Sequence, residues 1–349
     1  MRQLNEAERT EMRTHVLDIV EHGLPPMIPM PVPSFVRQEP WFKESHAEAL
    51  VRIYALPSYK MNAFNGKLQP ALKACLMDEA AGKFDPDTIV IGASSANWAM
   101  QMGLLQPIFG YKEFWAVINT KTVPKGKQDH LEASGAKIIP VPDGAIGTEY
   151  VYELAQKPHV HLIDQYVHPG SVAGHEWTMN HVVREINRLE QGQDLSFFGA
   201  VTGTCSTVRA GKTYLPVAFP KIKIWGVASQ SKKEKVPGSR APEDLDELKS
   251  IGGGFDYKTA IDGDLVTSVT KKEVFDLNAE FVQQRFITAG PTGMLLLAGV
   301  WHRLRDHWVE HGSFGDLLNN AGMVLGAIFI VDMHLPYLDS DDYRKHFMR

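Results

Sequence analysis

The sequence predicts an α/β protein made of two open, mostly parallel α/β domains with a cleft between them. Apolar runs of strand length alternate with helical periodicity from Val51 to Ile163. Such alternation builds βαβ units with right-handed crossovers. Gln191-Gly-Gln-Asp194 breaks the pattern and Phe197 restarts it. Several of the apolar runs end in loops of small and hydroxyl residues, where open parallel sheets take their ligands.

Residues 5–22 set Met12, Val16, Ile19 and Val20 at helical spacing, an amphipathic helix laid on the protein's own body. Leu24 to Pro33 holds five prolines in ten residues and must cross in extended form. A strand over 51–56 leads to a helix over 68–81, with Pro70 in its first turn and Gly82 as its stop. Strands at 88–92, 114–119, 136–141 and 160–163 then alternate with helices at 98–105, 124–134 and 148–156. A long helix covers 174–189. Strands at 197–201, 222–227, 265–269 and 323–331 and helices at 208–215, 271–286 and 292–308 form the second set. Residues 228–256 make a long polar loop of the kind that often serves as a lid. Its run Ser231-Lys-Lys-Glu-Lys235 reads as a solvated face.

A length of 349 residues gives room for about two domains. The net charge of −5, with no basic patch interleaved with aromatics, points away from nucleic acid as a partner. Cys75 and Cys205 stand in unlike contexts with no CxxC, which leaves no framework for a disulfide or a structural zinc. His159 and His161 share a strand face but have no third ligand nearby, so no metal is expected. The N-terminus is polar, and the longest apolar run, 321–331, is too short to span a bilayer. A soluble, cytoplasmic protein with no membrane partner is the expectation.

The chemistry concentrates in five loops. Lys60-Met-Asn-Ala-Phe-Asn-Gly-Lys67 ends in a lysine at the mouth of a helix, which either points into a cleft or lies solvated. Val201-Thr-Gly-Thr-Cys-Ser-Thr207 joins a strand to a helix. Its amides, hydroxyls and helix N-terminus suit an anion such as phosphate, or else form a tight turn with a cap cluster. It has no Walker lysine and no GxGxxG, which disfavours ATP and dinucleotides. Ser94-Ser-Ala-Asn97 sits at another strand end, as a ligand loop or an N-cap. Thr292 in Ala289-Gly-Pro-Thr-Gly293 is a helix cap or a neutral partner for a buried group. His168 in Gln165-Tyr-Val-His-Pro169 is a base or a locally satisfied loop histidine.

Together these loops resemble the fold type II pyridoxal-phosphate enzymes of the tryptophan synthase β-like superfamily, and among them the cysteine synthase and cystathionine β-synthase group. The likeness runs from about Pro31 to Tyr343 and keeps the motifs in order. Asn65-Gly-Lys67-Leu-Gln-Pro-Ala71 is similar to the family's Ser-x-Lys-Asp-Arg-Pro-Ala, and Ser94-Ser95-Ala96-Asn97 to its Thr-Ser-Gly-Asn. Gln165-Tyr-Val-His-Pro169, followed by His175, resembles Gln-Phe/Tyr-x-Asn-Pro with its trailing histidine. Gly203-Thr-Cys-Ser-Thr207 resembles the phosphate loop Gly-Thr-Gly-Gly-Thr. Ile251-Gly-Gly-Gly-Phe255, Gly290-Pro-Thr-Gly293 and Leu338-Asp-Ser-Asp-Asp-Tyr343 complete the series.

The resemblance implies pyridoxal 5'-phosphate as cofactor, held in the cleft, and a role for each residue. Lys67 would attach the cofactor and then serve as acid and base. Gly203, Thr204, Cys205, Ser206 and Thr207 would bind its phosphate, Asn97 its phenolic oxygen and Thr292 its ring nitrogen. Ser94, Ser95 and Gln165 would hold the substrate carboxylate. A neutral hydroxyl at the ring nitrogen leaves the ring a weaker electron sink than a carboxylate would. That disfavours transamination and racemisation and leaves β-elimination or β-replacement on a serine-like amino acid; β-replacement through an α-aminoacrylate is the expectation, with elimination and a catalytically lapsed binding homologue as the alternatives. The family also implies a homodimer. Residues 1–60 with 166–349 would form the large domain, and 61–165 a smaller mobile one carrying Lys67 and the Ser94–Asn97 loop.

The departures point to a specialised relative. Asn65 replaces a serine and Leu68-Gln69 an Asp-Arg pair, and the loop is one residue short if Asn62 is the family's asparagine. Cys205 and Ser206 replace glycines, Ala96 replaces another, and Trp98 stands where the family has a threonine, reshaping the pocket.

Overall fold

The computed structural model describes residues 4–60, 65–94, 96–143, 145–247, 265–284 and 289–330. In chain order its strands are β1 (Ile28–Pro29), β2 (Val51–Pro57), β3 (Ile89–Ala93), β4 (Glu113–Ile118) and β5 (Ala136–Pro140). They continue with β6 (Val160–Leu162), β7 (Phe197–Val201), β8 (Lys223–Val227), β9 (Leu265–Val266) and β10 (Val324–Ile330). One sheet has the order β5-β4-β3-β6 and is parallel throughout. The other has the order β1-β2-β10-β7-β8-β9, parallel except where β1 runs antiparallel to β2. The mixed, mostly parallel architecture is the one the alternation implies.

The larger sheet explains why its last strand is wholly apolar. β10, Val-Leu-Gly-Ala-Ile-Phe-Ile, lies between β2 and β7 and is buried along its whole length. A strand covered on both faces has no polar side to keep. Its alternate residues enter two cores. Val324 and Ile328 meet the Pro291–His311 helix, whose Met294 to Ala298 stretch is fully buried. Leu325, Ala327 and Phe329 face the other way, with Met179, Val182 and Val208 of the helices His175–Glu190 and Ser206–Ala218. Each aliphatic side chain buried this way contributes roughly 1.5–3 kcal/mol before ordering entropy is counted.

The N-terminal helix forms at Glu6–His22 with an Asn5–Glu8 capping box. It rests on the Asn97–Phe109 helix through Val16, Ile19 and Val20, while Met12 stays 40% exposed. Three short helices absent from the periodicity reading, Ser34–Gln38, Pro40–Glu44 and Ala47–Leu50, fill the approach to β2. None is long enough to show a period, and Pro40 and the left-handed His46 (φ 54°) cut them apart. The Asn97–Phe109 helix runs past its expected end, through Pro107. β9 is shorter than expected, and the helix that follows spans Lys271–Gln283. The segments Ile251–Phe255 and Leu338–Tyr343, with Ser95 and Asn62, lie outside the described residues. No helix among the described residues is long and apolar enough to cross a membrane.

Candidate active site

Both sheets turn their strand carboxyl ends toward one cavity of about 590 Å³. Ala93, Val117 and Val141 reach it from β3, β4 and the end of β5, and Val201 from β7. Lys67 stands on its wall at the start of the Leu68–Ala80 helix. The preceding Gly66 makes that placement possible: a Cβ there would lie 2.3 Å from the Phe329 ring and 2.6 Å from Ser58 Oγ. Asn65, the family's serine position, accepts from the Lys67 amide at 2.9 Å and donates to the Asn97 carbonyl at 3.3 Å. It therefore ties the lysine loop to the Ser94–Asn97 loop. Burial lowers the Lys67 amine to about 8, with the Cys205 thiol acting in the opposite sense.

Across the cavity, Gly203, Thr204, Cys205 and Thr207 line the wall where the Ser206–Ala218 helix begins. Thr204 Oγ1 lies 3.4 Å from Lys67 Nζ and 2.9 Å from Ser206 Oγ. Ser206 itself sits behind the surface, buried, and shares His175 with Thr207: Nε2 is 3.1 Å from Thr207 Oγ1 and 3.5 Å from Ser206 Oγ. Burial, reinforced by the Lys67 charge, pushes His175 well below the usual histidine range, so the imidazole is neutral. The loop is thus a set of amides and hydroxyls with a neutral backing. Burial also pushes the Cys205 thiol up to about 12, against the pull of Lys67, Arg209 and Arg240.

The other sequence-nominated residues divide. Ser94, Asn97, Gln165 and Thr292 line the same cavity. Ser94 Oγ accepts from the Ala96 and Ala99 amides at 3.2 and 3.3 Å, so it also caps the Asn97–Phe109 helix. Gln165 Nε2 donates to the Ala93 carbonyl at 2.6 Å. Thr292 lies in the first turn of the Pro291–His311 helix. His168 is not in the cavity wall. Its Nδ1 accepts from the Gly170 amide at 3.1 Å and its Nε2 meets buried Asp78 at 3.1 Å, beside His161 at 2.7 Å and Lys83 at 2.8 Å. Lys232, Lys233 and Lys235 of the charge run are all exposed, and Lys235 also lines the cavity mouth and pairs with Asp244 at 2.7 Å. Tyr166, Lys127 and Arg240, which the sequence did not flag, also reach the wall. The only hint was Arg240 standing between small residues after Gly238.

This donor set fits a phosphate monoester that also carries an electrophile for an amine. The cavity wall offers hydroxyls, amides and a deprotonatable lysine, and no carboxylate among the described residues. Two open, mostly parallel α/β sheets meeting over a lysine and a hydroxyl-rich helix start give the cleft of a cofactor-binding α/β protein. Residues 58–312 match the family of pyridoxal-phosphate dependent enzymes. The chain belongs to that family, and its cofactor is pyridoxal phosphate.

Individual relatives are distant. A cysteine synthase from a Flavobacterium species is 27% identical over 209 residues, 57% of this chain and 64% of that protein, so the match spans less than two thirds of the relative. The fold is similar to that of an O-ureido-L-serine synthase, with a TM-score of 0.71, 19% identity and 94% of each chain covered. A hydrogen sulfide-producing enzyme from Fusobacterium nucleatum matches with a TM-score of 0.72 and 17% identity over 93% of this chain and 97% of that one. An O-acetylserine dependent cystathionine β-synthase from Helicobacter pylori matches at 0.68 and 17%, over 93% and 98%.

Proposed function

We propose that the protein catalyses β-replacement on a serine-like amino acid. The observation that carries this reading is the short span from Lys67 Nζ to Thr204 Oγ1, 3.4 Å, with Thr292 on the same cavity. It sets an amine of lowered basicity beside an anion-type loop and a neutral hydroxyl. When bound, pyridoxal phosphate supplies an electrophilic aldehyde and an electron sink. Gly203 to Thr207 hold its phosphate, with Cys205 and Ser206 contributing through backbone amides. Asn97 bonds its ring oxygen and Thr292 meets its ring nitrogen without a charge.

Ser94, Ser95 and Gln165 hold the substrate carboxylate. Lys67 Nζ takes the α-proton and later returns it. The β-carbon–oxygen bond breaks with its electron pair leaving on the departing group, and a bond to the incoming sulfur or nitrogen takes its place. Residues 61–165 act as the smaller, moving domain over the rest, 1–60 with 166–349, and the assembly is a homodimer. Size-exclusion chromatography with light scattering tests the last point.

Lys67→Ala tests the whole. Purified wild type is expected to be yellow and to turn over O-acetyl-L-serine with sulfide, and the variant to be neither coloured nor active. A coloured, active Lys67→Ala protein defeats the reading. Release of a 2-oxo acid without any second substrate replaces it with elimination.

A further inference from the structure

We propose that this cleft is shaped for a reaction partner bearing a second anionic group, a phosphate or carboxylate beyond the α-carboxylate, and that Arg240 is its receptor. The inference rests on the β-replacement reading and adds the class of substrate to it.

The charge balance of the wall carries the first part. Lys67, Lys127, Lys235 and Arg240 line the cavity, and no aspartate or glutamate does among the described residues. The cofactor consumes Lys67, and its phosphate meets the hydroxyl loop. Asp244 already holds Lys235, at 2.7 Å. Arg240 remains.

Its guanidinium is held in place without a direct salt bridge, while the Asp244 charge acts on it from farther off. Nη2 donates to the Tyr166 hydroxyl, and the guanidinium carbon lies 5.6 Å from the centre of that ring. Among the described residues it forms no ion pair: Asp244, the nearby carboxylate, is taken by Lys235 and by the Ala241 amide at 3.2 Å. The backbone is pinned as firmly. The Arg240 amide donates to the Thr202 carbonyl at 2.9 Å, and the Arg240 carbonyl accepts from Ser229 at 3.1 Å. Thr202 immediately precedes the Gly203–Thr207 loop, so the cation is fixed beside the reacting region. The Lys67 and Arg240 charges both act on the Cys205 thiol, which puts them within electrostatic reach of one atom. A part-buried guanidinium with four N–H groups to spare is a ready receptor for an anion. Its planar fork matches a phosphate or a carboxylate.

The anion has two possible sources, the leaving group or the incoming nucleophile, and the experiment separates them. Holoenzyme is assayed with sulfide on O-phospho-L-serine against O-acetyl-L-serine. It is then assayed with O-acetyl-L-serine and either mercaptoacetate or 2-mercaptoethanol. In one arm the anionic partner is expected to win by at least about tenfold in kcat/KM. In that arm Arg240→Met cuts the anionic-to-neutral ratio about 30-fold or more, and Arg240→Lys restores part of it by keeping the charge without the fork. Cofactor affinity is measured alongside from the holoenzyme absorbance.

Preferences within about threefold in both arms of the wild type overturn the inference, even if Arg240→Met fails to fold. So does an Arg240→Met ratio equal to wild type. That result with weakened cofactor binding assigns the guanidinium to the cofactor phosphate, and with an equal loss on both donors it assigns it to the α-carboxylate. If no donor alters the holoenzyme spectrum, the β-replacement reading itself falls, and this inference with it.

Discussion

Two loops face each other across the cavity, and they differ in how their polar groups are spent. Both follow the end of a parallel strand and open a helix, and both carry a non-glycine residue with positive φ, Ala96 at 103° and Cys205 at 56°. In both places the family motif has glycine. At Ser94–Asn97 the Ser94 hydroxyl accepts from the amide of the N-cap residue Ala96 and from that of Ala99 in the first helical turn, so it works first as a cap. At Gly203–Thr207 the hydroxyls of Thr204, Ser206 and Thr207 are linked to one another and to buried His175. The first loop is built around its own helix and the second around something outside itself. A hydroxyl backed by a neutral imidazole needs no rearrangement when an anion arrives.

The largest expected effect removes the carboxylate that ties the Leu68–Ala80 helix to β6 and the His168 loop. Asp78 lies on the lysine helix and joins it to His161 of β6 and to His168. Asp78→Ala should destabilise the fold by about 2–3 kcal/mol in urea unfolding, because it strands buried donors. Burial alone would raise the Asp78 carboxyl, but the bonds from His161, His168 and Lys83 outweigh it and hold it well below the ordinary range. Its contribution is therefore full above the unfolded value of about 4 and fades as pH falls beneath it. The stability gap between wild type and variant should narrow steadily as pH falls from about 4, by about 1.4 kcal/mol per pH unit at most, and vanish only below the depressed folded-state value. A gap as wide at pH 2.5 as at pH 6 would contradict this.

Next in size, the comparison predicts unequal roles for the loops in cofactor binding. His175→Ala should weaken pyridoxal phosphate affinity about tenfold, by freeing the loop hydroxyls. Ser94→Ala should leave that affinity near wild type and cost about 1 kcal/mol of stability through the lost cap. Equal effects of the two substitutions on cofactor affinity would erase the distinction. The lysine gives a pH signature of similar size. With its amine at about 8, burial favours the neutral form that attaches the cofactor. Reconstitution of apoprotein should accelerate roughly tenfold between pH 7 and pH 9 and then level off.

The smallest effect separates the two positive-φ residues. Ala96 has φ 103° and ψ −49°, outside the left-handed well that Cys205 occupies at 56° and 3°. Ala96→Gly should raise stability by about 1 kcal/mol and Cys205→Gly by less, since only the first relieves a conformation poor for any L-residue. Thermal unfolding of the holoenzyme ranks them.

Much of this was legible in the chain because local rules and tertiary needs agree there. The parallel strands announce themselves as short apolar runs, since strands covered on both faces keep no polar alternation. The loops announce themselves by small and hydroxyl residues between a strand and a helix. The short helices between Ser34 and Leu50 escaped because a helix of one turn shows no period. Lys235 was read as part of a solvated run and is exposed, but the fold also sets it at the cavity and against Asp244. Nothing local distinguishes it from Lys232 and Lys233.

The sequence by itself determined where the apolar strands lie, which loops carry the polar groups and that Lys67 stands at a helix mouth. These depend on periodicity, composition and neighbours a few residues apart. Only the tertiary structure decided what those groups face. It brought Thr204 to Lys67 across 137 positions of chain, set His175 behind the hydroxyls, gave His168 to Asp78 and placed Arg240 on the cavity with no direct ion pair among the described residues. The physical reason is that charge, burial and hydrogen-bond partnership belong to a place in space, and a residue's place is fixed by packing between distant segments.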